Sequence, residues 1–328
     1  MTDRRPEAHA TLADFHTDDE AMRTCLHLAA IAARTDLPVL ILGETGTGKS
    51  LLARILHNSS RRAHAAFVEF NAAALSDTLL DSQLFGHEKG AFTGADRRLK
   101  GKFEQADGGT LFIDEIADMS AAAQAKILRA VEYGEFERLG SEQLLEADVR
   151  LISATHLPIA RFLETDHFRK DLFYRVSGIT LRVPPLRERP NDLRSLMAKE
   201  IGAASAAMGR EIEGLSRAAA DRLMDHTWPG NLRELKRVVH SAVAITEGSI
   251  IEEEAILLEA TPEGTISAAG PAAASDSPVR NGDLSLRAAE SRHIRSVLQQ
   301  FRGNKRRAAR ALGLSRSTLD RKLSGPAH

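Results

Sequence analysis

Eight consecutive residues, Gly43-Glu44-Thr45-Gly46-Thr47-Gly48-Lys49-Ser50, form a glycine-rich loop closed by a lysine and a serine, in the pattern G-x-x-x-x-G-K-[ST]. Glycines let successive backbone N–H groups turn toward one point, and such a cluster attracts phosphate oxygens. The lysine then reaches the outer phosphates of a nucleotide, and the serine hydroxyl ligates magnesium. The chemistry implied is binding of ATP with Mg2+. A second segment suits the same chemistry. Gly108-Gly109-Thr110-Leu111-Phe112-Ile113-Asp114-Glu115 reads as an apolar strand ending in two carboxylates, a Walker B strand. Asp114 is expected to hold the magnesium through its water shell, and Glu115 to polarise an attacking water as a general base. An apolar strand ending in Asp-Glu is common; the phosphate loop gives this one its meaning.

The loop needs a strand before it and a helix after it. Val39 to Leu42 and the helical run Leu51 to Leu56 supply both. Further short apolar runs at Phe67–Phe70, Thr110–Ile113, Val149–Ala154 and Ile179–Val183 alternate with helical stretches, which predicts an α/β unit with a parallel sheet. After Pro184, Pro185 and Pro190 the pattern turns helical: Leu193, Leu196 and Met197, then Ala219, Leu223 and Met224, then Leu235, Val238, Val239 and Val243. Their three- and four-residue spacing predicts a small helical subdomain. Alanine, proline, glycine and serine dominate residues 259–283, a predicted flexible linker. Beyond it Leu286, Ala289, Ile294, Val297, Leu298 and Phe301 outline an amphipathic helix, with two shorter helices around Gly313. The expected division is a short segment at 1–15, an α/β subdomain at 16–188, a helical lid at 189–258, the linker, and an all-α domain at 284–328.

With 328 residues, 43% hydrophobic and 27% charged, the chain is long enough for two or three domains. Lysine and arginine total 44 against 45 acidic residues, so the net charge of -1 exerts no global pull on nucleic acid or membrane. The local balance differs. Residues 302–322 hold Arg302, Lys305, Arg306, Arg307, Arg310, Arg316, Arg321 and Lys322 against the single acid Asp320. Ala308, Ala309, Leu312, Leu314, Leu319 and Leu323 let two helices pack around Gly313, with Ser315 as a candidate N-cap of the second. Arg316, Ser317, Thr318 and Arg321 are then expected to face the major groove of DNA, and Lys305, Arg306 and Arg307 to contact phosphates. Cys25, the sole cysteine, excludes an internal disulfide, and its apolar helical setting predicts a buried thiol in a reducing cytoplasm. No apolar run approaches the roughly 20 residues that cross a bilayer, and no signal core follows the polar start. His87-Glu88 lacks the second histidine of H-E-x-x-H, since Ala91 stands there, which excludes that zinc chemistry.

Between the two nucleotide motifs lies Gly90-Ala91-Phe92-Thr93-Gly94-Ala95, in which small residues bracket an aromatic and a hydroxyl. Such a segment suits a mobile loop that presents Phe92 and Thr93 outward; the alternative is a tight turn with Phe92 tucked in. This unbroken GAFTGA, the phosphate loop, the Walker B strand and Trp228-Pro229-Gly230-Asn231-Leu232-Arg233-Glu234-Leu235 together resemble the AAA+ domain of sigma-54-dependent transcription activators, over about residues 15–258. Gly303 to Leu323 also resembles the Fis-type helix-turn-helix that ends many of them.

The resemblance implies roles for particular residues. The GAFTGA loop, Phe92 and Thr93 above all, is expected to contact the sigma-54 RNA polymerase holoenzyme. Asn71 resembles the switch residue that holds the Walker B glutamate, Thr155 the first sensor and Arg233, in the lid, the second sensor. Arg169 and Arg175 resemble arginine fingers offered to a neighbouring subunit's ATP, which implies a head-to-tail ring, a hexamer by family expectation. The implied activity is an ATPase that remodels the closed polymerase complex while bound to upstream DNA. A DNA-binding regulator using the fold only for ligand-controlled assembly is the rival; intact GAFTGA and Asp114-Glu115 argue against it. The basic tail argues against a ring that remodels some other protein. About 15 residues precede the ATPase segment, fewer than a sensory domain needs, so control is expected from a trans-acting regulator, a paralogous co-activator or abundance.

Overall fold

The structure is a computed structural model that describes residues 10–73, 76–158, 168–258 and Lys305. The chain divides into two compact units, Met1–Ala260 and Thr261–His328, and every element named below belongs to the first. Its centre is a sheet of β1 (Val39–Leu42), β2 (Phe67–Asn71), β3 (Thr110–Asp114), β4 (Arg150–Thr155) and β5 (Ile179–Arg182). The spatial order is β2-β3-β4-β1-β5 and each pairing is parallel. All five predicted strands are present, each end within one residue of the apolar run that announced it. Parallel pairing fits the burial of the central strands: β1, β3 and β4 bury both faces, so helical crossovers must cover the sheet on each side.

The two faces separate with the strand period of two. Val39, Ile41, Phe112, Ile152 and Leu181 point into one core with Met22, Cys25 and Ala29 of α1 (Glu20–Ala33) and Leu52, Ala53 and Leu56 of α2 (Lys49–Asn58). Leu40, Leu111, Ile113 and Leu151 point the other way, into a core shared with α3 (Asp77–Phe85), α4 (Ala121–Tyr133) and α5 (Lys170–Val176). Local chemistry fixes the helix ends. Ser120 Oγ accepts from Ala123 N at the start of α4, and Gly134, at φ 75°, ends it in the left-handed conformation that glycine tolerates best. Cys25 is 2% exposed, and burial pushes its thiol up to about 11, as an inert core residue requires.

The lid packs α6 (Pro190–Met208), α7 (Arg217–Asp225) and α8 (Asn231–Ile245) around Trp228. Leu193, Met197, Ala219, Leu223, Leu235, Val238, Val239 and Val243 are buried there, as their spacing predicts, while Leu196 and Met224 are partly buried. The buried Trp228 indole N–H donates to Leu223 O at 3.1 Å, so the bulkiest side chain of the lid leaves no donor unpaired. Among the described residues, three small strand pairs have no counterpart in the sequence reading. They are Gly86–His87 with Leu99–Lys100, Glu135–Glu137 with Leu144–Glu146, and Gly214–Leu215 with Ile250–Ile251. Strands of two or three residues are too short to display a period. Among the described residues no helix is long and apolar enough to cross a membrane.

Candidate functional site

The phosphate loop leaves the C-terminal end of β1. Gly43 N donates to Thr155 O at 3.2 Å, which ties the loop's first residue to the end of β4. Gly46 and Gly48 lie at φ 82° and 100°, in the left-handed region where a side chain would be strained. Gly48 caps α2, so the helix's free N–H groups and partial positive charge face the loop. The buried Lys49 Nζ donates to Gly43 O at 2.9 Å and Glu44 O at 3.4 Å, and pairs with Glu115 Oε1 at 3.3 Å. Beside Thr47 and Gly48 a pocket opens between the sheet and the lid, walled mainly by apolar side chains such as Phe15, Met22, Val183 and Leu232, with Arg189, Lys199 and Glu200 also lining it; the mix suits a flat heteroaromatic base.

Asp114 and Glu115 arrive at the same end of the sheet on β3. Ser50 Oγ lies 3.5 Å from Asp114 Oδ2. Burial and the neighbouring Glu115 charge push the Asp114 carboxyl above the usual carboxylate range, against the opposing pull of Lys49. A half-buried carboxylate beside a hydroxyl is a hard-oxygen donor set, and a divalent cation there offsets the charge that burial penalises; the pair fits Mg2+. Glu115 adopts φ 54°, ψ 49°, a left-handed conformation that costs a non-glycine residue about 1–2 kcal/mol. Its Oε2 accepts from both Nδ1 of His156, at 2.7 Å, and the His156 backbone N–H, at 3.1 Å. Burial works to raise the Glu115 carboxyl, but the His156 hydrogen bonds and the Lys49 charge outweigh it and hold it below the usual range.

Asn71 sits level with Asp114 in the β2–β3 register and its Oδ1 accepts from Ala73 N at 2.8 Å, while His156 and Lys49 bond Glu115. Glu115 leans toward the end of β4, on the far side of β3 from Asn71. Thr155 is fully buried, its Oγ1 accepting from Leu157 N at 3.1 Å while its carbonyl anchors Gly43. Arg233 is exposed and lies against the loop: a Cβ built on Gly46 would stand 3.2 Å from Arg233 Cβ and 2.4 Å from Gly230 O. The loop's Glu44 is gripped from the lid side. Arg187 donates to its two oxygens at 2.8 and 2.5 Å and Asn231 Nδ2 at 3.2 Å, and the Arg187 bond leads in holding the Glu44 carboxyl below its ordinary range. Asn231 Oδ1 accepts from Leu186 N at 2.7 Å, and Leu232 N donates to Gly46 O at 3.0 Å. Sequence reasoning does not single out Arg187 or His156, and reaches Asn231 only within its motif.

The other expected residues lie apart from the loop. Arg169 is exposed at the start of α5 and pairs with Asp171 at 2.7 Å, while Arg175 Nη2 donates to Val131 O and Glu132 O at 3.4 and 3.1 Å, at the end of α4. The chain's two tyrosines, Tyr133 and Tyr174, are exposed beside them. Gly90 to Ala95 is a closed turn: Gly90 N donates to Ala95 O at 2.8 Å and Ala95 N to Phe92 O at 3.0 Å, with Gly90 and Gly94 at φ 84° and 99°. Thr93 is exposed as expected, but Phe92 is half-buried, edge-on to His87 with ring centroids 5.0 Å apart. Phe92 is thus tucked in, because an exposed phenyl gains by meeting a neighbouring ring. Beneath the turn the buried Arg138 bonds Glu88 at 2.9 Å and Glu104 at 2.8 and 2.6 Å. Of the residues expected to bind DNA, Lys305 is helical and exposed; Arg306, Arg307, Arg316, Ser317, Thr318 and Arg321 lie outside the described residues.

Residues 15–182, just over half the chain, match the family described as the Sigma-54 interaction domain. The chain belongs to the sigma-54 interaction family of transcription activators. Residues 187–269 match an AAA+ ATPase lid domain, and residues 285–324 the Fis family of bacterial regulatory proteins, which carries the helix-turn-helix part. The transcriptional regulatory protein ZraR of Klebsiella oxytoca is 44% identical over 310 residues, covering 94% of this chain and 68% of that one. FlbD of Caulobacter vibrioides is 42% identical over 318 residues, again 68% of the relative's length. NtrX from Brucella abortus, crystallised in complex with ADP, superposes with a TM-score of 0.68 at 31% identity over 94% of this chain and 68% of NtrX. The chain thus spans about two thirds of the length of these relatives, as an α/β AAA+ domain with helical lid and C-terminal helix-turn-helix domain.

Proposed function

We propose that this sigma-54 family member hydrolyses ATP within a ring of its own copies and uses each turnover to drive the GAFTGA loop against sigma-54 RNA polymerase holoenzyme, opening the closed complex from an upstream DNA site. The observation that carries the proposal is the convergence of Lys49, Ser50, Asp114 and Glu115 at one end of the sheet, where the phosphate loop meets the lid. The loop's N–H groups and Lys49 take the phosphates, and the apolar pocket takes the base. Ser50 and Asp114 would hold Mg2+, which neutralises phosphate charge when bound. Glu115 receives the proton of the attacking water as that water's oxygen bonds to the γ-phosphorus and the bond to the bridging oxygen breaks, leaving ADP and phosphate.

Connectivity supports the coupling. Asn71 ends β2 level with Asp114, and α3 then runs to the Gly86–His87 strand that bears the GAFTGA turn. A shift at the nucleotide therefore has a short covalent route to Thr93. Arg169 and Arg175, exposed and away from their own phosphate loop, suit a neighbour's site, with the free ends of the ring contact closed by rotation.

Mixing two inactive variants tests the shared site. Lys49→Ala cannot grip phosphate and Arg169→Ala cannot complete its neighbour, yet an Arg169→Ala site beside a Lys49→Ala subunit has both groups. Equal mixtures of the two purified proteins should recover roughly a quarter of wild-type turnover per site, the share of contacts with that order. Absence of recovery at every mixing ratio would sink the trans arrangement.

A further inference from the structure

We propose that Glu44 of the phosphate loop sets the angle of the lid over bound nucleotide through a bidentate pair with Arg187 of the hinge, a latch that governs how fast ADP leaves. The inference rests on the reading of the loop as the nucleotide site. Glu44 is the one acid among the eight residues Gly43 to Ser50. A carboxylate in a loop built for phosphate weakens anion binding unless its charge is engaged elsewhere. Arg187 engages it, with Nη1 at 2.8 Å from Oε2 and Nη2 at 2.5 Å from Oε1, the parallel fork in which guanidinium and carboxylate bond best. The side chain of Glu44 is thereby turned to the hinge, while its backbone carbonyl stays with Lys49 Nζ at 3.4 Å.

Position gives the pair its leverage. Arg187 lies in the short 3-10 turn Leu186–Glu188, which leads from β5, ending at Arg182, to α6, starting at Pro190. Pro184, Pro185 and Pro190 flank that turn, and each fixes its own φ, so the hinge has little slack to absorb a rotation of the lid. A second contact ties the same three parts together. The fully buried Asn231, at the start of α8, donates from Nδ2 to Glu44 Oε2 at 3.2 Å and to Thr45 O at 3.1 Å, and its Oδ1 accepts from Leu186 N at 2.7 Å. Its backbone sits at φ 51°, a left-handed conformation that persists where surrounding bonds hold it. Loop, hinge and lid thus close a triangle. Val183 and Arg189, on either side of the hinge turn, and Leu232, next after Asn231, all wall the pocket beside the loop. A lid that opens must part Glu44 from Arg187 and Asn231, and the pocket walls separate with it. Arg187 and Glu44 are 45% and 41% exposed, so solvent screens the pair and its effect is moderate.

Stopped-flow fluorescence with the full chain tests this, using the fluorescent nucleotide mant-ADP to follow association and, after a chase with excess ADP, dissociation. Arg187→Ala and Glu44→Ala should each speed dissociation by about threefold to tenfold, the range that a part-exposed bidentate pair supports. Association should stay within about twofold of wild type, because the latch closes after the nucleotide has entered. The double variant should dissociate no faster than the faster single variant. Arg187→Lys keeps the charge and loses the fork, so it should fall between wild type and Arg187→Ala. Dissociation from Arg187→Ala at the wild-type rate would overturn the latch, and so would single effects that multiply in the double variant. Slowed association in Arg187→Ala would also count against it, as the mark of a damaged loop. A wild-type protein that binds no mant-ADP is a separate failure, of the nucleotide site itself.

Discussion

Lys49→Ala should eliminate ATP hydrolysis while the protein stays folded. The ammonium is the only side-chain cation that bonds into the phosphate loop from within it, touching Gly43 O, Glu44 O and Glu115 Oε1 at 2.9 to 3.4 Å. With nucleotide bound it exchanges these for phosphate oxygens. Charge-assisted hydrogen bonds of that kind contribute about 1.5–3 kcal/mol each, and those that tighten as charge builds in the transition state act on rate. Loss of two or three predicts a fall of at least about a hundredfold in kcat/KM. Folding should survive, because α2 is anchored by Leu52, Ala53, Ile55 and Leu56 and Glu115 keeps His156 as a partner. Phosphate release and far-UV circular dichroism read the two halves of the prediction. Appreciable hydrolysis by a folded Lys49→Ala protein would refute the site.

The second large effect separates chemistry from work. Thr93→Ala should hydrolyse ATP within about twofold of wild type and lose nearly all sigma-54-dependent transcription. Thr93 is exposed at the tip of a turn whose shape is set by the backbone bonds Gly90 N to Ala95 O and Ala95 N to Phe92 O, which the substitution does not touch. An exposed side chain outside such features changes stability by about 0.5 kcal/mol or less, so a large loss of transcription must lie in what Thr93 contacts. Phe92 differs, because its ring must first leave His87, a contact between rings that contributes about 0.5–1.5 kcal/mol. Parallel ATPase and promoter assays on Thr93→Ala decide the matter, and unchanged transcription would remove the loop from the mechanism.

How much of the molecule is legible in the chain depends on range. Strands β1 to β5 announce themselves because each is a short, mainly apolar run between turns, and the phosphate loop because its chemistry needs neighbours in sequence. Thr155, Arg233 and Asp114 fall close to the loop. Contacts between distant residues are illegible. Arg187 and Asn231 reach Glu44 across 143 and 187 residues, and no local spacing encodes that grip. His156 carries no signal of its own, because a polar residue after a buried strand looks like the start of any loop. Its meaning comes from the left-handed backbone of Glu115, which turns the base toward β4 and away from Asn71. The tucked Phe92 depends likewise on His87, placed by a strand pair of two residues that shows no alternation.

Promoter opening in a reconstituted reaction bears most directly on the proposed function. Sigma-54 holoenzyme, a promoter with its upstream site, and this protein are combined with ATP or with a non-hydrolysable analogue, and melted DNA is scored by permanganate footprinting. Open complex should form with ATP and wild-type protein, and should be absent with the analogue. Opening that proceeds equally with the analogue, or in the absence of the protein, would contradict an account in which hydrolysis at Lys49 and Glu115 moves Thr93 against the polymerase.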